Sequence, residues 1–115
     1  MPGNFLEQLA AEWYQYKEYI VRRNIRVGKS DLDVVAFKPG DKHVVHVETS
    51  METGGVEGRL KSGFENGRKY IPSMPSGLLC QGVTFQQMKF EQIALVDDVK
   101  ARSVAGGRIE NVSTF

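Results

Sequence analysis

The stretch from Ser30 to Ser50, SDLDVVAFKPGDKHVVHVETS, constrains the chain most. Two valine-rich runs, LDVVAF and HVVHVET, flank Lys38-Pro39-Gly40-Asp41, and β-branched side chains in such runs favour extended backbone. Pro sets a negative φ at the second turn position and Gly accepts a positive φ at the third. The spacing therefore predicts an antiparallel hairpin closed by a type II turn. Each strand also carries an acid among apolar neighbours, Asp33 in the first and Glu48 near the end of the second. An unpaired buried carboxylate costs on the order of several kcal/mol. Two on paired strands point to a shared partner, and a divalent cation is the simplest one.

The flanks suggest what covers this hairpin. Residues 4 to about 19 have helical periodicity, with Leu6, Leu9, Ala10, Trp13 and Ile20 on one face. Trp13 is expected in the core, with Tyr14, Tyr16 and Tyr19 at its rim. Asn4 and Glu7 have the spacing of a capping box. YIVRRNIRVG then switches to alternation and predicts a first strand ending at Gly28. Val21, Ile25 and Val27 share a face with Arg23, and Arg22, Asn24 and Arg26 point the other way. After METGG, VEGRLKSGFENGRKYI is helical. Its stripe of Leu60, Gly63, Phe64, Gly67 and Ile71 would let the helix approach a sheet closely, and Pro72 and Pro75 end it. Residues 76–90 read as a loop with a short strand around LLCQGVTF. EQIALV reads as a buried strand, residues 99–104 as a short helix or turn, and RIENVSTF as a last strand. The order predicts an α/β sandwich with a mixed central sheet.

With 115 residues and 41% hydrophobic content, residues 1–115 are expected to form one domain around one core. A net charge of +1 gives no global pull towards nucleic acid or membrane, so any such attraction must come from local clusters. The single cysteine, Cys80, excludes an internal disulfide and a cysteine-based zinc site. Neither a signal peptide nor a membrane-spanning run is evident, which predicts a cytoplasmic domain. A chain ending soon after a strand-like segment is compatible with a C-terminal extension in a longer protein.

On the hairpin, His46, Glu48 and Ser50 share a face, as do Asp31 and Asp33. Asp33 and Glu48 are expected at the open end, away from the turn. There they could hold one Mg²⁺ (or Mn²⁺) together with a backbone carbonyl such as that of Thr49 and waters. Such an ion acidifies a bound water and polarises a phosphate oxygen, the chemistry of phosphodiester hydrolysis.

The arrangement resembles the PD-(D/E)XK nucleases, the restriction-endonuclease-like fold with an αβββαβ core that includes Mrr-like and Holliday-junction-resolvase-like enzymes. The likeness extends over most of the chain. FLEQLAAEWYQYKEYIV is similar to the family's first helix, SDLDVVAF to the strand with the metal-binding Asp, and VVHVETS to the strand ending in Glu-x-Lys. FENGRKYI resembles the helix behind the site and GGRIENVSTF a late strand. The resemblance implies Asp33 and Glu48 as metal ligands, Glu7 as an optional further acid, DNA as the nucleic-acid partner, and homodimers where two strands are cut. The departure is Ser50, which stands where the family has lysine. A serine hydroxyl cannot stabilise charge on the attacking water and scissile phosphate, and Lys61 or Arg59 on the following helix are candidates for a displaced cation.

Each assignment has a structural alternative. Asp33 could pair with an arginine such as Arg26, Glu7 could serve only as a helix cap, and Asp31 as a strand-entry residue. His46 could support a metal ligand or shuttle a proton, but a lone strand histidine is more often a hydrogen-bonded core or edge residue, and Lys61 could be a solvated residue paired with Glu65. Arg22, Arg23, Arg26 and Lys29, with Arg59, Lys61, Arg68 and Lys69, would make a phosphate-binding surface or protect a sheet edge. The functional expectation is a nucleic-acid-binding domain of nuclease fold, a Mg²⁺-dependent DNA endonuclease where a cation replaces the lysine. The alternatives are an inactive DNA-binding or protein-interaction module of the same fold, and a structural domain with neither ligand.

Overall fold

The computed structural model describes residues 5–50, 56–73, 85–96, 103–104 and 107–111. Its element order is α1 (Phe5–Tyr16), β1 (Ile20–Val27), β2 (Ser30–Lys38), β3 (His43–Ser50), α2 (Val56–Tyr70), β4 (Lys89–Val96), β5 (Ser103–Val104) and β6 (Gly107–Asn111). The strands form one six-stranded mixed sheet in the order β1-β2-β3-β4-β6-β5. The first three are antiparallel, while β4 runs parallel to both β3 and β6. Parallel neighbours need a crossover, and α2 supplies it between β3 and β4. No helix among the described residues is long and apolar enough to cross a membrane.

Alternation along β3 divides the core between the two faces. Val45 and Val47 point towards α1 and pack with Leu6, Ala10, Tyr14, Val34, Ala36, Ile93 and Leu95. On the opposite face Phe64 and Leu60 of α2 pack on Ala94, Val96 and Ile109. Val35, Phe37, Val44 and Ile71 continue that layer beneath Val27, Leu32 and Met88. The predicted stripe of α2 is buried throughout, from Leu60 through Gly63, Phe64 and Gly67 to Ile71, which opens a 3₁₀ turn as the prolines begin.

The first helix is shorter than its periodicity suggests and rotated about its axis. Its buried residues are Leu6, Glu7, Ala10, Ala11 and Tyr14, whereas Trp13 is 38% exposed and Ile20 belongs to β1. Leu6 and Ala10 belong to either stripe, so periodicity alone could not choose between Trp13 and Tyr14. The Arg23 guanidinium makes burial of Glu7 tolerable, with Nε 3.2 Å from Glu7 Oε1, and so turns the Glu7–Ala11 side inward. The helix closes in a Schellman motif. Glu18 takes φ 69°, the Tyr19 N–H donates to Tyr14 O, and the Glu18 N–H donates to Gln15 O. Tyr14 and Tyr19 then meet edge to face, with centroids 5.2 Å apart. Asn4, and with it the expected cap, lies outside the described residues.

The strand pair β1–β2 departs from simple alternation. Val21 packs in the α1 layer, whereas Ile25 and Val27 pack in the α2 layer, so these side chains do not share the single face expected of them. The switch falls at Asn24, which has φ 52° and is absent from the otherwise continuous pairing. Asparagine tolerates this left-handed conformation better than most residues. Opposite it, at Asp33, β2 switches too, with Leu32 and Val34 packing on opposite layers. Gly28, at φ 61°, begins the two-residue turn to β2, the pattern of a type II′ hairpin.

The β2–β3 hairpin forms as expected, but its turn is different. Pro39–Asp41 make a 3₁₀ turn and the left-handed residue is Lys42, with φ 51°, so Gly40 does not supply the positive φ. The fixed φ of proline suits the first position of either turn, and the four-residue loop between the paired Lys38 and His43 selects the tighter helical one. Residues 103–104 are extended and pair with β6, correcting the helix or turn expected there. METGG, Cys80 and most of the stretch around LLCQGVTF lie outside the described residues. EQIALV lies within β4.

Candidate functional site

Pairing between β2 and β3 runs from Lys38↔His43 to Val34↔Val47 and stops there. Beyond it β3 keeps pairing with β4 as far as Ser50↔Val96, while β2 follows β1. The sheet forks at the residues where both acids sit. Backbone groups that lose their ladder partners at a fork need others, and the acids provide them. The Glu48 carboxylate accepts the Asp33 N–H at 3.0 Å through Oε2. The Asp33 carboxylate accepts the Thr49 N–H at 2.9 Å and the Thr49 hydroxyl at 3.1 Å, both through Oδ2.

Glu48 Oε2 also accepts a hydrogen bond from His46 Nε2 at 2.9 Å. Each carboxylate is thus anchored through one oxygen, and no described residue donates to Asp33 Oδ1 or Glu48 Oε1. Among the described residues no arginine pairs with either acid. Arg26 approaches Asp31 at 3.6 Å rather than Asp33. Burial pushes the Asp33 carboxyl up to about 6, and repulsion from Glu48 adds to it against the lowering effect of the Thr49 donors. Among the described residues no arginine or lysine pairs with either acid at this partly desolvated fork.

This arrangement fits a hard divalent cation. The oxygens without a described donor are carboxylate oxygens, and a cation would offset the burial and, after it, the repulsion from Glu48 that raise Asp33. Among the described residues no cluster of three or more His, Cys, Asp or Glu could hold a metal. A cation would therefore rest on two carboxylates and water, a sparse set of the kind Mg²⁺ accepts. Glu7 adds to the negative field at Asp33, but its side chain is engaged by Arg23.

Two residues beyond Glu48, Ser50 is 3% exposed and its hydroxyl accepts a hydrogen bond from Arg59 Nη2 at 2.8 Å. The cation that reaches β3 from α2 is therefore Arg59. Lys61 is exposed, lies within ion-pair distance of neither acid, and does not pair with Glu65. The other basic residues are dispersed. Arg23 holds Glu7, Arg68 donates to Gln92 Oε1 at 2.9 Å, and Lys69 lies over the Tyr70 ring. Arg22, Arg26 and Lys29 are exposed along β1 and its turn.

His46 is fully buried. Gln92 pairs in register with His46, a placement that the local pattern of EQIALV does not signal. The roles of Gly63 and Gly67 were visible only as a close-approach stripe. A β-carbon at Gly63 would collide with the Glu48 carboxylate, and one at Gly67 with the His46 ring. Comparison of the chain with protein-family models, curated proteins and solved structures finds no match.

Proposed function

We propose that this chain is a nucleic-acid-processing domain of restriction-endonuclease-like, PD-(D/E)XK type that hydrolyses DNA phosphodiesters with Mg²⁺ or Mn²⁺. The observation that carries the reading is the fork: β2 leaves β3 just where Asp33 and Glu48 stand, with Arg59 anchored two residues on at Ser50. The order of one helix, three antiparallel strands, a crossover helix and a parallel strand supports it. Asp33 and Glu48 would hold the cation. When bound, it supplies an acidified water and a polarised phosphate oxygen. Thr49 holds the Asp33 carboxylate through two donors, and the Asp33 N–H holds that of Glu48.

Arg59 takes the electrostatic part of the absent lysine. Its guanidinium presents a planar fork of donors that matches phosphate oxygens. It cannot accept a proton, so its contribution is charge stabilisation. Exposed Arg22, Arg26 and Lys29 would add contacts to the DNA backbone.

A second reading keeps the fold and drops the chemistry, as a DNA-binding or protein-interaction module. It is favoured by the solvent-facing Lys61 and by the two-acid limit of the site. Cleavage of supercoiled plasmid and branched DNA in Mg²⁺ or Mn²⁺ tests the choice. The catalytic reading expects cleavage by the wild type and its loss in Asp33→Ala, Glu48→Ala and Arg59→Ala. Salt-sensitive DNA binding without cleavage, unchanged in Glu48→Ala, supports the module, and no response to either ligand supports a purely structural domain.

A further inference from the structure

We infer that His46 is a positioning residue, locked in one tautomer by Gln92 so that its Nε2–H holds the Glu48 carboxylate against the Asp33 N–H at the fork. The inference rests on the proposed cation site for its functional meaning and on hydrogen-bond chemistry for its geometry. Gln92 Nε2 lies 2.8 Å from the Phe64 carbonyl, which can only accept, and Gln92 Oε1 lies 2.9 Å from Arg68 Nη1, which can only donate. These two neighbours fix the amide orientation. The same Gln92 Nε2 faces His46 Nδ1 at 3.1 Å, so Nδ1 must accept. The ring proton is left on Nε2, 2.9 Å from Glu48 Oε2.

The chain of donors is therefore directional, from Arg68 to Gln92, from Gln92 to His46, and from His46 to Glu48. Glu48 Oε2 is filled by two donors, His46 Nε2–H and Asp33 N–H, whereas Oε1 lies against Gly63 of α2 and accepts from no described residue. The Phe64 ring closes on His46 edge to face at 6.0 Å and holds the imidazole plane. The backbone geometry of α2 is matched to this row. Four helical residues rise about 6 Å, and two strand residues about 6.6 Å. Gly63 therefore lies over Glu48 and Gly67 over His46, with no β-carbon at either contact. Orientation of a metal-ligating group by a buried hydrogen-bond partner commonly changes metal affinity by about 10- to 100-fold when the partner is removed.

Three measurements test the inference. In the metal-free protein, long-range ¹H–¹⁵N spectra of the histidine rings should show His46 protonated at Nε2 alone, and Gln92→Leu should lose that single form. A His46 protonated at Nδ1 overturns the proposal. In calorimetry with Mn²⁺, His46→Leu should bind about 10- to 100-fold more weakly. His46→Gln, which keeps a donor near the Nε2 position, should remain within about threefold of the wild type. Equal affinity in His46→Leu, or equal loss in both variants, also overturns it. Should His46→Leu fail to fold, Gln92→Leu takes its place in the titration with the same expectations. Should the wild type bind no Mn²⁺, the proposed function fails by itself. The positioning role is then decided by hydrogen exchange at the Asp33 amide, which must lose protection in His46→Leu and keep it in His46→Gln.

Discussion

Replacing Asp33 by Asn removes one charge from the fork while keeping an oxygen to accept the Thr49 N–H and hydroxyl. The Asp33 carboxyl stands at about 6 against an ordinary 3.8. At 1.36 kcal/mol per pH unit, that difference corresponds to about 3 kcal/mol. Because the group is half-buried rather than sealed from water, about 2 kcal/mol is the expected scale. The sign follows from which state holds the proton more tightly. A raised carboxyl pKa favours the protonated folded state, so the penalty is absent below pH 3.8, grows as the pH rises, and is complete above about 6. Asp33→Asn should therefore be more stable than the wild type at pH 7.5 without metal, by about 2 kcal/mol. The gap should close as the pH falls towards 4.

Urea denaturation at pH 4.0, 5.5 and 7.5, with and without Mg²⁺, reads this directly. Saturating Mg²⁺ should raise the wild-type midpoint and leave that of Asp33→Asn unmoved, because ligand binding stabilises only the state that binds it. A variant less stable than the wild type at pH 7.5, or a difference that does not change with pH, would refute the argument from shared charge.

Other perturbations probe separate parts of the molecule. Arg59→Ala should lower DNA cleavage by about 10² or more, in line with loss of one oxyanion-stabilising group. Circular dichroism should be unchanged, and Arg59→Lys should recover part of the rate. Gly63→Ala should destabilise by about 1 to 3 kcal/mol in thermal or urea melts, because its β-carbon displaces the Glu48 carboxylate. Phe64→Ala should cost about 3 to 5 kcal/mol, since its ring is fully buried between α2 and the sheet. Spectrophotometric titration should find one of the four tyrosines ionising only near pH 12, because burial raises the Tyr14 phenol to about 12. Tyr14→Phe should remove that last transition.

The β2–β3 hairpin, the two helices and the buried strand β4 were legible because each has an uninterrupted local pattern. Val34 to Phe37 and Val44 to Val47 are too β-branched to coil, and the Leu60–Ile71 stripe is helical in its spacing. What defeated the pattern was competition between equally periodic choices. Tyr14 displaced Trp13 because Arg23, from another element, neutralised Glu7. The face switch at Asn24 and Asp33 was hidden because a single left-handed residue resets alternation without changing composition. Asp33 and Glu48 stood out as acids in apolar strands. Arg59 was one of two candidates, and only the Ser50 contact distinguishes it from Lys61.

By itself the chain determined its layers, since alternating valines on β3 and a glycine-notched helix can bury themselves only as a sheet covered on two sides. It also determined that two carboxylates would lie on adjacent strands. Tertiary structure alone decided their state: where β2 separates from β3, which donors take one oxygen of each acid, and which cation reaches Ser50. Those outcomes depend on groups far apart in sequence, with Asp33 bonded to Thr49 and His46 to Gln92, and no local propensity encodes a distance between them.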